Sequence, residues 1–404
     1  MRKLITLLCA SLFFLACKSS GKQVETKQVE QSVAQENKPL VLGAERIDVY
    51  LKELKGKRVG LVVNQTSTIV HTHLVDTLKS LGINIKKVFA PEHGFRGDHS
   101  AGAVIKNGID DKTGLPVVSL YGSTKKPSVE MLADIDIMVF DIQDVGVRFY
   151  TYISTMHYVM EACAEQGKKV VVLDRPNPNG FYIDGPVLQE AYKSFIGMHP
   201  IPLVHGLTVA ELAKMINGEK WLKNGVQCSL VVVPCLNYNH QTLYQLPIKP
   251  SPNLPNMNSV YLYPYLGLFE GTNVSIGRGT ELPFQVVGRP GFKGSYSFTP
   301  KNIPGIADDP KFEGKLCGGE IVMDVKDSSL FANPKVDLKW LMKFYTTNGT
   351  EDGEFFKDFF YKLSGNKILK EQIERGLSEA EIRKTWQADL NTYEAKRNLY
   401  LLYP

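Results

Sequence analysis

Two apolar runs, Asp136–Ile142 (DIMVFDI) and Lys169–Asp174 (KVVVLD), decide how this chain folds. Between them lies Tyr152–Gln166, whose apolar residues recur at helical spacing and whose end is marked by Gly167. Strand, helix and strand in that order make a crossover unit, and strands without polar alternation belong to a parallel sheet covered on both faces. The pattern continues outward. On the N-terminal side it predicts strands at Arg58–Asn64 (RVGLVVN), Ile83–Ala90 and Pro116–Tyr121, with helices at His73–Leu81 and Ser128–Ala133. On the C-terminal side it predicts a helix over Thr208–Asn217, with Thr208 as N-cap and Glu211 at the capping-box position, and a strand at Cys228–Val233. The fold class is α/β, and such a sheet binds its ligands beyond the carboxyl ends of its strands.

The chain around this core divides by composition. Arg2 and Lys3 precede an apolar run, Leu4 to Ala16, short for a membrane span and suited to a signal-peptide core. Phe14-Leu15-Ala16-Cys17 resembles a bacterial lipobox, so cleavage after residue 16 would leave Cys17 for lipidation. Residues 18–40 are polar and lack aromatics, which makes them a tether from residue 17 to 40 with a root-mean-square reach of roughly 25 Å. A catalytic α/β domain is expected over residues 41–243. An irregular, Pro-, Gly- and Tyr-rich segment follows over 244–295, and a smaller α+β domain over 296–404, with a strand near Glu320–Val325, helices from Val336 onward and an apolar run at Leu399–Tyr403.

Removing the leader takes away two bases and no acid, so the formal charge falls from +5 to about +3. No basic stripe with interleaved aromatics is present, and nucleic acid is not an expected partner. Cys163, Cys228, Cys235 and Cys317 match no zinc spacing. They read as buried thiols, with one disulfide as the alternative.

Three predicted strand ends bring polar groups to one edge: Glu92, His93 and Arg96; Asp141, Asp144 and Arg148; Asp174, Arg175 and Asn177. Charges there are costly unless paired or used. Asp144 and Asp174 can equally cap helices, and Arg148 and Arg175 can simply pair with those acids. Glu92 follows Pro91 in a loop with no helix to cap, which favours a chemical role. Glu92 and His93 are adjacent and do not converge on one ion, His71 and His73 lie on another loop, and His157 sits within a helix, so neither metal nor cofactor is expected. His205 precedes a helix and can line the site. No nucleophile elbow, Ser-x-x-Lys or Cys–His signature occurs, and Gly277-Arg278-Gly279 is not a phosphate loop. Carboxylate chemistry is what remains, and glycoside hydrolysis is its leading form. Tyr261–Tyr265, Glu270, Asn273 and Arg278 add rings and hydrogen-bonding groups that suit sugars, or equally a core.

The segments PEHGFRG (91–97), SLYG (119–122), DIQDVGVRFYTY (141–152), DRPNPN (174–179), HGLTVAEL (205–212) and EGTNVSIGRGTELPF (270–284), in that order, resemble the exo-β-N-acetylmuramidase family of peptidoglycan hydrolases. The likeness extends over about residues 42–404. Ile276 and Gln285 stand where some relatives carry acids, so neither serves as the essential carboxylate. The resemblance implies a Rossmann-like domain joined to a smaller auxiliary domain, with the site in the cleft between them. It implies release of N-acetylmuramic acid from non-reducing glycan ends, with Glu92 as general acid. The second group is left open: a carboxylate from Asp141, Asp144 or Glu270, or the substrate's own 2-acetamido oxygen, preferred here, with Asp144 or Asp141 orienting it. Arg148, Arg175 or Arg278 would clamp the lactyl carboxylate. His93, Arg96, Tyr150, Tyr152, Asn177, His205, Glu270 and Asn273 complete the expected binding set. The expected partner is a peptidoglycan glycan, with a membrane reached only through the lipid; the oligomeric state is not readable. Two further readings stand beside this one: a non-catalytic wall-fragment-binding lipoprotein, and a deacetylase, esterase or amidase of the same polymer.

Overall fold

Val59–Val63 (β1) is buried at every position because its side chains enter two different cores. Leu61 and Val63 pack with Tyr50 and Leu54 of helix α1 (Ile47–Leu54) and with Leu74 and Leu78 of α2 (Leu74–Ser80), whereas Val62 packs on the opposite face. This two-sided burial explains the absence of polar alternation in the sequence. The computed structural model describes residues 38–96, 107–322, 329–348 and 354–404. The expected leader, Cys17 and nearly all of the tether lie outside these residues, as do Gly97 and positions 323–325.

The remaining strands of the main sheet are β2 (Ile85–Ala90), β3 (Gly108–Ile109), β4 (Pro116–Ser119), β5 (Ile137–Asp141), β6 (Lys169–Leu173) and β7 (Ser229–Val233), in the spatial order β3-β4-β2-β1-β5-β6-β7. Every pairing is parallel except the short β3–β4 edge. The six parallel strands therefore run third, second, first, fourth, fifth, sixth in chain order, the order of doubly wound dinucleotide-binding folds. Helices α3 (Val129–Leu132), α4 (Tyr152–Glu165) and α5 (Val209–Gly218) supply further crossovers. Ser128 caps α3, and α5 carries the expected Thr208–Glu211 capping box. Each sequence-predicted strand and helix of this half is present to within two residues or so; α1 was not foreseen.

The segment expected to be irregular contains helix α6 (Met257–Leu266), in which every residue but Asn258 is buried. A helix buried all round has no apolar stripe, which is why periodicity did not reveal it. Asn256 caps it and Pro264 lies near its end. A second, antiparallel sheet follows, β8 (Val286–Arg289), β9 (Tyr296–Phe298) and β10 (Cys317–Ile321), ordered β8-β10-β9. The C-terminal helices are α7 (Ser329–Ala332), α8 (Lys339–Asn348), α9 (Phe359–Ser364), α10 (Ile368–Glu374) and α11 (Glu379–Arg397). The four cysteines among the described residues are free and buried.

Two acids at the sheet's carboxyl edge are structural. Asp174 accepts from the Ala210 amide at the start of α5 (3.0 Å) and from the Tyr403 phenol (2.5 Å), so it anchors both α5 and the C-terminal run. Burial pushes its carboxyl up to about 7. Asp141 faces Arg175 in a sealed ion pair: Nε to Oδ1 is 2.6 Å, Nη2 to Oδ2 is 2.9 Å, and Nη2 also reaches the Thr68 carbonyl at 3.0 Å. The side chains are 0% and 2% exposed respectively. Removing one partner strands the other charge in a dry interior. Arg175→Met should therefore lower the free energy of unfolding by about 3–5 kcal/mol, measured by urea titration. The double change Asp141→Asn, Arg175→Met should recover part of that loss.

Candidate active site

The chain leaves β2 at Ala90 and turns back through His93 (φ 68°) and Gly94 (φ 80°), with the Gly94 amide bonded to the Pro91 carbonyl at 3.0 Å. A histidine at positive φ is sparsely populated and must be held by its surroundings. Here the His93 ring meets the Ser251 hydroxyl at 3.2 Å and is buried. The turn delivers Glu92 into a cleft of about 560 Å³.

Thr151 occupies the N-cap position of α4, yet its hydroxyl does not cap the helix. It donates instead to Glu92 Oε2 at 2.7 Å. The Tyr121 phenol, just past β4, also bonds to Glu92, and burial followed by the charge of Glu92 pushes Tyr121 well above its usual range. It stays protonated and serves as a donor. Two hydroxyls, one at a helix start and one past a strand end, thus fix one carboxyl group. Beneath it, Tyr152 reaches the Glu92 and Pro250 carbonyls at 3.5 and 3.4 Å, and Tyr150 donates to Pro250 at 2.7 Å. A run of edge-to-face rings continues from Tyr152 to Tyr150 (4.9 Å), Tyr263 (5.8 Å) and Phe284 (5.0 Å).

Arg278 lies over Phe284 at 4.9 Å and pairs with Glu270 through Nε and Nη2 at 2.9 and 2.8 Å. Lys311 secures the same wall. Its ammonium donates to the carbonyls of Phe269 and Glu270, each at 3.0 Å, Thr272 at 2.7 Å and Val274 at 3.4 Å, and burial pushes it down to about 8. Asp308 and Asp309 stand at the rim. Asn253, a lining residue, donates to the Ile306 carbonyl at 2.7 Å, while its buried Oδ1 has no partner among the described residues.

Of the predicted residues, Glu92, His93, Tyr150, Tyr152, Glu270 and Arg278 meet in this cleft. The others are not in its lining. Asp141 and Arg175 are consumed by each other. Arg148 is sealed with its guanidinium on the carbonyls of Pro186, Ile201 and Leu363, and burial lowers it to about 9. Asn177 donates to the Leu207 carbonyl at 2.8 Å and packs against Gly146, whose left-handed backbone (φ 76°) leaves no room for a Cβ, which would fall 2.1 Å from Asn177 Oδ1. His205 accepts from the Leu207 amide and is driven down to about 3 by burial. Arg96 pairs with Asp110 at 2.9 Å, and the half-buried Asn273 lies outside the lining. Asp144 accepts from the Gly146 amide at 2.8 Å; burial raises it to about 7, and its Oδ2 has no hydrogen-bond partner among the described residues. It is not itself among the lining residues, but its charge acts on the lining phenols Tyr150, Tyr152 and Tyr263 from behind.

Tyr121, Thr151, Asn253, Asp308, Asp309 and Lys311 were not foreseen. Tyr121 and Thr151 sit inside the SLYG and DIQDVGVRFYTY segments, so their signal was present. The other four lie in stretches without periodicity. Among the described residues no group of three or more His, Cys, Asp or Glu is placed to hold a metal ion.

Comparison with known proteins adds an independent line. Residues 59–258 match the model of the N-terminal part of the exo-β-N-acetylmuramidase NamZ, and residues 261–403 match its C-terminal part. The chain is 41% identical over 375 residues to the peptidoglycan β-N-acetylmuramidase NamZ of Bacillus subtilis (strain 168), covering 88% of this chain and 89% of that protein. Two crystal structures of DUF1343 family proteins from Bacteroides fragilis NCTC 9343 share the fold. One has a TM-score of 0.84 at 46% identity, covering 91% of this chain and 99% of the other. The second has a TM-score of 0.75 at 32% identity, covering 90% and 99%. The fold is a Rossmann-like sheet, and the family match and the curated relative make the class that of a glycosidase. The chain belongs to the exo-β-N-acetylmuramidase NamZ family.

Proposed function

We propose that this protein removes N-acetylmuramic acid, one residue at a time, from the non-reducing ends of peptidoglycan glycan fragments. The observation that carries the proposal is the carboxyl of Glu92, held by Thr151 and Tyr121 within a ring-lined cleft whose far wall presents Arg278.

Glu92 protonates the glycosidic oxygen as the bond to the anomeric carbon breaks. The acetamido oxygen of the same sugar attacks that carbon and forms a cyclic intermediate. Water then opens it and returns a proton to Glu92. This route fits a cleft in which Glu270 is already engaged by Arg278 and the expected orienting acids, Asp141 and Asp144, lie behind the wall. Orientation passes instead to Asn253, a lining residue whose buried, unpartnered Oδ1 would accept the acetamido N–H once its side chain turns toward the sugar. Arg278 has donors to spare beyond those on Glu270 and is suited to clamp the lactyl carboxylate. We further propose that the protein is exported and held at a membrane by lipid on Cys17, with the polar segment that follows as a tether.

Glu92→Gln should lower kcat on a chromogenic N-acetylmuraminide by about a hundredfold or more; turnover near wild type would remove Glu92 from the mechanism. Arg278→Ala should cut the preference for the muraminide over the matching N-acetylglucosaminide by roughly tenfold, read as the ratio of kcat/KM values. A ratio equal to that of the wild type would refute the clamp. For the anchor, cells expressing Cys17→Ala should carry the protein in the soluble fraction without labelled fatty acid. Continued membrane labelling of the variant would place the lipid elsewhere, and an unlabelled wild type would remove it.

A further inference from the structure

A second run of rings starts at the same acid and leads out of the cleft. Tyr121, bonded to Glu92, lies 6.2 Å from Phe195, and Phe195 stacks on Tyr158 at 6.2 Å with planes 10° apart. All three rings are half-buried, so each keeps surface toward water. The platform is rigid. Phe195 sits in a tight turn closed by paired backbone bonds between Ser194 and Gly197, at 2.9 and 3.0 Å, and Tyr158 belongs to α4, the helix that begins at Thr151. The neighbour of Phe195, Ile196, lines the cleft itself. Lys125 places its ammonium 5.0 Å from the Phe195 ring.

Structural roles account for these rings poorly. A half-exposed phenylalanine at the tip of a turn contributes little core, and a lysine drawn over it adds roughly 0.5–1 kcal/mol at an exposed site. Flat faces beside a cation suit a sugar that carries a carboxylate. The cleft behind Glu92 already takes the terminal muramic acid, so what remains is the glycan that leaves.

We propose that Tyr121, Phe195 and Tyr158 form the leaving-group subsite, a platform on which the sugars at the reducing side of the scissile bond stack, with Lys125 set against their lactyl carboxylates. The inference rests on the exo-hydrolase reading above and deepens it. The arrangement makes the enzyme favour polymer over disaccharide, because only a longer leaving group reaches past Tyr121 to Phe195, Tyr158 and Lys125.

The test uses the full-length protein and its Phe195→Ala and Lys125→Ala variants. Substrates are the tetrasaccharide of alternating N-acetylmuramic acid and N-acetylglucosamine, and the corresponding disaccharide. Phe195→Ala should lower kcat/KM on the tetrasaccharide by about fivefold or more, mainly through KM, and on the disaccharide by no more than about twofold. Phe195→Trp should restore the tetrasaccharide value. Raising salt should weaken tetrasaccharide hydrolysis by the wild type, and Lys125→Ala should flatten that dependence. Equal losses on both substrates would assign Phe195 a structural role and overturn the subsite, as would no loss on either. If the wild type releases no muramic acid from either substrate, the underlying exo-hydrolase reading fails instead.

Discussion

Everything at the active edge of this protein is arranged around a guanidinium and a carboxylate sealed from water, Arg175 and Asp141. They join the end of β5 to the segment after β6, and Arg175 also holds the Thr68 carbonyl beyond β1. In a doubly wound sheet the gap between the first and fourth strands is where a ligand ordinarily enters. Here that gap is closed by protein. The Ser67 hydroxyl donates to the Asp141 carbonyl, and the Gln143 amide donates to the Thr66 hydroxyl at 3.0 Å. With the switch point filled, the carboxyl of Glu92 rises one strand over, past the ends of β2 and β4. The fold of a nucleotide binder is thereby turned to another use by occupying its usual pocket.

The second half of the chain completes what the sheet begins. Strand ends provide Glu92 and Tyr121, the start of α4 provides Thr151, and the region from Ser251 to Pro310 provides Tyr263, Glu270, Arg278 and Asn253. Lys311 draws the carbonyls of residues 269, 270, 272 and 274 around one ammonium, so the backbone that carries Glu270 is pinned from behind. A cation used this way shapes a wall, while Arg278 faces the cleft.

Much of the main sheet was legible because burial on both faces writes itself as unbroken apolar runs, and because Thr208–Glu211 and Ser128 are local caps that need no tertiary context. The place of Glu92 in the cleft was legible for a related reason, an acid after a proline with no helix to cap. Arg148, Arg175, Asp141 and Asp144 fall outside the lining, since a buried ion pair and a catalytic pair look alike in sequence. Only packing distinguishes Arg175, held by Asp141, from Arg278, open to the cleft. Asn253 and Lys311 were invisible because their roles depend on backbone carbonyls brought close by chain turns with no periodic signal. Helix α6 was hidden by its own complete burial.

The hydroxyl of Thr151 belongs by position to helix α4 and by hydrogen bond to Glu92. The helix therefore begins without the side-chain cap that threonine could give it, a concession of about 1 kcal/mol by the usual worth of such caps. Evolution has left a small debt of folding energy at the point where the acid is aimed. Anyone seeking a hardier version of this protein by improving helix starts would find α4 an obvious target. A residue there that turns inward to satisfy the helix would gain heat tolerance and leave Glu92 with one hydroxyl fewer, so on the proposed mechanism thermostability and turnover are set against each other at one side chain.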